Sequence, residues 1–317
     1  MTALPPFGLD PRTLAPPARG RAALVKHKTA SVDGIRIFYR EAGPPDAPAI
    51  LLLHGFPSSS RMFATLLPFL SSHYRLIAPD FPGFGHSDAP SPREFSYTFD
   101  RLADCVRGLL GELDVSRYTL YLQDYGGPVG FRLATANPER VAALVIQNAV
   151  AHAEGLSEAW AIRKAFWLDR TAHEDEVRKA LLSPEAARQR HLAGARCPEL
   201  IDPDTWSDEF VFLTRPGMVE IQLDLVYDYR SNVAAYPQWQ AYMREHRPPT
   251  LVVWGKNDPL FTVAGALAFG REMPDAEIHL LNAGHFALDE EVAAIAALMH
   301  RFLGTRLPLD DRAARSA

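Results

Sequence analysis

The stretch Tyr118 to Gly130, YTLYLQDYGGPVG, sets one carboxylate where it could react. Tyr118 to Leu122 is rich in aromatic, β-branched and Leu residues, which predicts a short buried strand. Gln123-Asp124-Tyr125-Gly126-Gly127 then turns sharply, and Pro128 opens an apolar-periodic run through Phe131 and Leu133 that predicts a helix. Such a strand, turn and helix lift the turn residue above a sheet, where the helix N-terminus favours a negative charge. An ionised Asp124 so placed can attack an sp3 carbon, displace a leaving group and become an alkyl ester. The same residues also read as an Asp capping an ordinary strand-to-helix turn. Taken alone, the stretch leaves both readings open.

Three more strand ends carry suggestive residues. AILLL (49–53) runs into His54-Gly55-Phe56-Pro57, TLVVW (250–254) into Gly255-Lys256-Asn257-Asp258, and the strand at 277–281 into Asn282-Ala283-Gly284-His285. Open parallel sheets bind ligands beyond the carboxyl ends of their strands, so these turns are expected to meet. The chain order Asp124, Asp258, His285 is then nucleophile, acid, base. His285, oriented by Asp258, would activate a water against the ester carbonyl, and the backbone N–H groups of Phe56 and Tyr125 would hold the developing oxyanion. Asn148, ending another strand, cannot serve as an acid, which leaves Asp258 as the orienting carboxylate. Asp80 reads as a structural turn residue.

The elements that must position these groups follow from periodicity. Residues 23–32 and 35–43 are expected to pair as strands joined at the turn dipeptide Asp33-Gly34. AILLL has the continuous apolar character of a strand buried on both faces. Serines 58–60 offer an N-cap to a helix carrying Met62, Phe63, Leu66 and Leu67. Tyr74 to Pro79 predicts another strand, closed by the turn-rich DFPGFGHSD (80–88). A helix from about Thr98 to Leu113 and a strand from Val141 to Ile146 complete the alternation. It stops over 151–237, a mostly helical, Trp- and charge-rich segment expected to be a lid. It resumes at Thr250 to Trp254 and Glu277 to Leu281 and ends in an amphipathic helix near 287–303. The expected organisation is a Pro-rich N-terminal strap (1–22), a core (23–150 and 238–305) and a C-terminal tail (306–317). Strands alternating with helices predict an α/β chain with a mostly parallel sheet.

At 317 residues the chain can bury a large core, and a net charge of -5 offers nothing to attract nucleic acid. Two cysteines, Cys105 and Cys197, are too few for a disulfide framework. No apolar run approaches the ~18 residues of a membrane span. The N-terminus lacks a basic and apolar leader, so a cytoplasmic protein is expected, of open oligomeric state.

Taken together, HGFP (54–57), DFPGFGHSD (80–88), QDYGG (123–127), WGKNDP (254–259) and NAGHFALDE (282–290) resemble the α/β-hydrolase fold. Within it they resemble the Asp-nucleophile branch of epoxide hydrolases and haloalkane dehalogenases, over about 23–305. The resemblance implies a central sheet with helices on both faces, an inserted helical lid and an Asp124–His285–Asp258 triad. It implies no cofactor or metal, and a small neutral, mostly apolar substrate that reacts with water. HGFP is similar to the epoxide-hydrolase pattern, and Tyr227-Asp228-Tyr229-Arg230 resembles the lid segment whose Tyr hydrogen-bonds the epoxide oxygen, with Tyr229 the better match. Epoxide hydrolases usually present two lid tyrosines, and Trp167 stands where the first would fall. Gln123-Asp124 is similar to haloalkane dehalogenases, which follow the Asp with Trp where this chain has Tyr125. There Trp167, with Tyr125 or Tyr229, would form a halide cradle. Fluoroacetate-type dehalogenases share HGFP and the late lid Tyr but carry arginines beside the nucleophile. Tyr125 and Pro128 offer none, which disfavours a small carboxylate substrate. The implied activity is epoxide hydrolysis, with haloalkane dehalogenation as the alternative. A non-catalytic ligand-binding protein of the same fold is the reading from another class.

Overall fold

Asp33 and Gly34, both at positive φ (51° and 81°), close a tight hairpin between β1 (Lys26–Val32) and β2 (Ile35–Ala42). The structure, a computed structural model, describes residues 24–306. The expected strap, and all but the first residue of the expected tail, lie outside the described residues. Beyond the hairpin come β3 (Ala49–Leu53), β4 (Arg75–Pro79), β5 (Tyr118–Gln123), β6 (Val141–Gln147), β7 (Thr250–Gly255) and β8 (Glu277–Leu281). They form one sheet in the order β1-β2-β4-β3-β5-β6-β7-β8. β2 runs antiparallel to both its neighbours, and every pair from β4 onward is parallel.

Strand periodicity sends successive side chains to opposite faces. Leu51, Leu53, Leu120, Leu122, Leu144 and Ile146 join the core on one face, whereas Ile50, Leu52, Tyr121, Val145 and Val253 join the core on the other. A strand buried on both sides has no polar positions to alternate with, so AILLL reads as a solid apolar run.

Between β3 and β4 the single expected helix is broken. A 3-10 turn, Ser60–Phe63, is capped by Ser59, and one short helix, α1 (Leu67–Leu70), follows. Pro68 supplies no backbone N–H, so the 3-10 turn does not continue through it. α2 (Phe99–Glu112) starts at Thr98, whose hydroxyl accepts from the Arg101 N–H, and α3 (Gly126–Ala136) follows β5 directly.

Five helices lie between β6 and β7: α4 (Ala161–Leu168), α5 (Arg170–Leu181), α6 (Pro184–Leu192), α7 (Asp204–Leu213) and α8 (Met218–His246). The border expected at residue 237 falls inside α8, a helix of 29 residues with Pro237 in its interior. Its buried positions Met218, Ile221, Leu225, Tyr229, Asn232, Tyr236, Trp239 and Met243 recur at three- and four-residue spacing. That stripe continues past the proline, so packing holds one rod although Pro removes a hydrogen bond. α8 ties the helical segment to the core. Asp228 accepts from the Phe99 N–H at 2.8 Å, and Arg132 of α3 donates to Asn232 Oδ1 at 2.6 Å. α9 (Val263–Glu272) and α10 (Ala287–Arg306) complete the layers, with α10 against the face opposite α2 and α3. Among the described residues no helix is long and apolar enough to cross a membrane, and no group of three or more His, Cys, Asp or Glu could hold a metal ion.

Candidate active site

Asp124 follows the last residue of β5 and adopts φ 45°, a left-handed backbone that costs a non-glycine residue about 1–2 kcal/mol. Its neighbours enforce it. The Asp124 N–H donates to Asn148 O at 3.2 Å and the Gly127 N–H donates to Asp124 O at 2.9 Å. At Gly126 a Cβ would lie 2.1 Å from the Leu53 carbonyl oxygen, so only glycine lets α3 begin this close to β3. The His54-Gly55-Phe56 turn approaches from the end of β3. There a Cβ on Gly55 would lie 2.1 Å from Gln123 Oε1 and 2.4 Å from Asp124 Cβ. That approach brings the Phe56 N–H to Asp124 Oδ1 at 3.0 Å, and the Tyr125 N–H donates to the same oxygen at 2.5 Å. Gly55→Ala is therefore expected to cut kcat by about 10²-fold, the order lost with one oxyanion donor, with a lowered Tm. Steady-state kinetics and a melting curve check both.

His54 itself is fully buried and locks this turn: Nδ1–H donates to Gly55 O at 2.9 Å and Nε2 accepts from the Phe81 N–H at 3.1 Å. Asp80 accepts from the backbone N–H groups of Ser60 and His86 at 2.7 and 2.8 Å, the work of a turn residue.

The second oxygen of Asp124, Oδ2, lies 3.4 Å from His285 Nε2. On its other side His285 Nδ1 donates to Asp258 Oδ2 at 2.7 Å. Asp258 is held in turn: Oδ2 also accepts from Asn148 Nδ2 at 2.8 Å, and Oδ1 accepts from the Leu260 N–H at 2.7 Å. The Gln123 amide nitrogen lies 3.1 Å from His285 Nε2. Burial alone would lower the His285 pKa, but Asp258 and Asp124 outweigh it and hold the imidazole well above its usual range. Each carboxylate contributes to that rise, Asp258 first.

The residues expected from 151–237 divide. Tyr229 is 1% exposed, and its ring lies 5.8 Å from that of Tyr125, directly after Asp124. Its hydroxyl makes no fully formed hydrogen bond among the described residues, with only the Tyr236 hydroxyl beside it, and burial pushes its pKa well up, so it stays protonated. Tyr236, two turns along α8, brings a second buried hydroxyl beside that of Tyr229. Trp167 stacks on Tyr229 at 6.1 Å, but its indole N–H donates to the Val226 carbonyl at 2.7 Å. The halide donor expected of it is thus engaged by backbone. Phe56 and Tyr125 pair at 5.5 Å, so the two residues offering N–H groups also wall the site.

Two residues escaped the sequence reading. Arg163 of α4 and Arg190 of α6 are each 8% exposed and lie near Asp124 and Tyr125. The Arg190 guanidinium carbon lies 4.4 Å over the Phe56 ring, and that of Arg163 lies 4.7 Å over Trp160. Arg163 could have been found from its helix, where it shares a face with buried Phe166 three residues on. Arg190 lies in the polar run Arg188-Gln189-Arg190-His191, which has no apolar period to point inward.

Comparisons with known proteins agree with this architecture. The family described as alpha/beta hydrolase fold matches residues 48–292. An uncharacterized hydrolase of Saccharomyces cerevisiae is 38% identical over 274 residues, covering 85% of this chain and 94% of its own. A haloalkane dehalogenase of Psychrobacter cryohalolentis is 28% identical over 289 residues, covering 85% and 88%. Among solved structures, the epoxide hydrolase CorEH superposes with a TM-score of 0.73 at 20% identity, covering 89% of this chain and 99% of its own, a likeness of fold. The chain is an enzyme of the α/β-hydrolase fold family.

Proposed function

We propose that this hydrolase works through a covalent ester on Asp124 and that its electrophile is an epoxide. Asp124 Oδ2 attacks an epoxide carbon while the carbon–oxygen bond of the ring breaks. Tyr229 donates its proton to the departing alkoxide, which is a poor leaving group without an acid. Water then attacks Cγ of the ester and gives its proton to His285, with Asp258 balancing the imidazolium. The negative charge on Oδ1 is met by the N–H groups of Phe56 and Tyr125. Collapse expels the diol oxygen, which takes the proton back from His285, and the new carboxylic acid loses its proton to the Tyr229 phenolate, so that carboxylate, imidazole and phenol are all restored.

One observation carries this reading: two backbone donors occupy Oδ1, leaving Oδ2 as the freer oxygen, 3.4 Å from His285. An Asp that only capped α3 would spend its side chain on the N–H groups of that helix. The buried Tyr229 hydroxyl, with the Tyr236 hydroxyl beside it, and the committed Trp167 indole favour epoxide over halide. Relationship to a protein named haloalkane dehalogenase keeps carbon–halogen hydrolysis as the second reading, with the same first attack. Asp124→Ala abolishing turnover would exclude a purely ligand-binding role.

A single turnover in heavy-oxygen water tests the ester, since water attacks the enzyme's own carbon. The label should enter Asp124, and product from the first cycle should carry none. Label directly in that product would overturn the mechanism. Tyr229→Phe is expected to lower kcat on epoxides by about 10²–10⁴-fold, the usual weight of a general acid, with KM little changed. Haloalkane turnover, if present, should be spared.

A further inference from the structure

We propose that Arg163 and Arg190 form an anion-binding pair that seats a carboxylate borne by the substrate, so that the electrophile carries a negative charge close to its reacting carbon. This rests on Asp124 as nucleophile and replaces the expectation of a neutral substrate.

Arg190 Nη2 donates to Leu181 O at 2.9 Å, while Nη1 is buried with no partner among the described residues. Arg163 Nη1 makes one long bond, 3.3 Å, to Ala159 O. Neither guanidinium reaches a carboxylate at ion-pair distance among the described residues. Burial pulls both pKa values down, Arg190 to about 10, and for Arg190 the next cause is the like charge of Arg163. Two buried cations that feel one another are costly unless something of opposite charge joins them.

The protein's own carboxylates answer this only in part. Glu209, buried near Arg190, lies 3.2 Å from His191 Nε2. Against the effect of burial, Glu209 and Asp289 raise His191 to about 9, and this one imidazolium is shared between both carboxylates, which leaves one net negative charge against two arginines. Asp124 attracts both arginines, yet its oxygens face Phe56, Tyr125 and His285. Its charge also disappears when the ester forms.

Their positions suit a substrate group. Arg190 covers Phe56, whose N–H holds Oδ1. Arg163 covers Trp160, whose ring lies 4.6 Å from Tyr229 and 5.5 Å from Phe261, itself 5.5 Å from His285. The two guanidiniums thus stand over the aromatic wall around Asp124. Their planar forks match a carboxylate better than a neutral dipole.

The test compares matched pairs on the full chain: glycidate against glycidamide, and 2-chloropropionate against 2-chloropropionamide. Wild-type kcat/KM should favour the acid of the reactive pair at least tenfold. Arg163→Gln and Arg190→Gln should each cost about 10²-fold on the acid, the scale of one charge-assisted contact, and under threefold on the amide. Millimolar propionate, an unreactive carboxylate, should raise the Tm of the wild type and not of the variants, with chloride at equal ionic strength as control. Should Arg190→Gln fail to fold, Arg163→Gln and the wild-type pairs still decide. An amide preferred by the wild type overturns the proposal. So do equal losses on acid and amide, which would mean that the arginines serve the fold of the site and not a substrate anion, and so does a Tm unmoved by propionate. Intact-mass analysis of His285→Gln separates the two failures. Adducts from amides alone remove only the anion site, whereas no adduct from any compound removes the Asp124 reading itself.

Discussion

Replacing His285 by Gln is expected to let the first half of the reaction proceed and to stop the second, leaving the protein alkylated. In the proposed mechanism attack by Asp124 needs no base, because the carboxylate is itself the nucleophile. Hydrolysis of the ester does need one, since neutral water attacks a carboxylic ester slowly, and a general base contributes about 10²–10⁴-fold. Gln cannot take up a proton, so steady-state kcat should fall by about 10³-fold or more while one equivalent of ester accumulates. Intact-protein mass spectrometry checks this directly. An epoxide adds its whole mass, whereas an alkyl halide adds its mass less hydrogen halide, so one experiment also reports the leaving group. Peptide mapping should find the increment on the segment holding Asp124. An increment on another residue, or turnover near wild type, would mean that His285 is not the base. An adduct from halides alone would overturn the epoxide assignment and leave the nucleophile standing.

Much of the fold was legible because its signals are local. Asp33-Gly34 marks its hairpin through φ alone, and the apolar run 49–53 can be satisfied only inside a sheet covered on both sides. Asp124, Asp258 and His285 were readable for a related reason: each ends a parallel strand, so the topology delivers them to one edge. The limits are equally physical. Pro68 broke a helix that periodicity alone would have continued, and α8 ran through Pro237 because its buried stripe outweighs one missing hydrogen bond. Arg190 was invisible because its polar run has no apolar pattern, whereas Arg163 shares a helix face with Phe166 but meets the site only through tertiary packing. Trp167 shows the converse. Its position could be anticipated, but that its N–H is donated to Val226 is a matter of how α4 packs on α8.

Asp258→Asn is expected to cost about 10³–10⁴-fold in kcat, comparable to loss of the orienting carboxylate in a Ser–His–Asp triad. Asp258 Oδ2 receives His285 Nδ1–H and Asn148 Nδ2 together, while Oδ1 receives the Leu260 N–H. With Asn at 258, the oxygen that keeps the Leu260 bond turns the amide NH2 toward both His285 and Asn148. The NH2 donors of residues 258 and 148 then face each other, a clash worth about 1–3 kcal/mol. Avoiding the clash with Nδ1–H also drives His285 to the other tautomer. That tautomer puts hydrogen on Nε2, the atom that must take a proton from water. The loss of charge acts in the same direction, because Asp258 helps hold the His285 pKa up against burial. Without it an imidazolium formed during hydrolysis has no partner in a buried site. The ester should therefore build up, as with His285→Gln, and deacylation in a single-turnover experiment should slow far more than alkylation. Asn148 contacts the same oxygen of Asp258, so adding Asn148→Asp to Asp258→Asn moves the carboxylate by one side chain and should restore part of the rate. A single variant keeping more than a tenth of wild-type kcat would remove Asp258 from the mechanism. A double variant no faster than the single one would show that the direction of the Asp258 hydrogen bond matters as much as its charge.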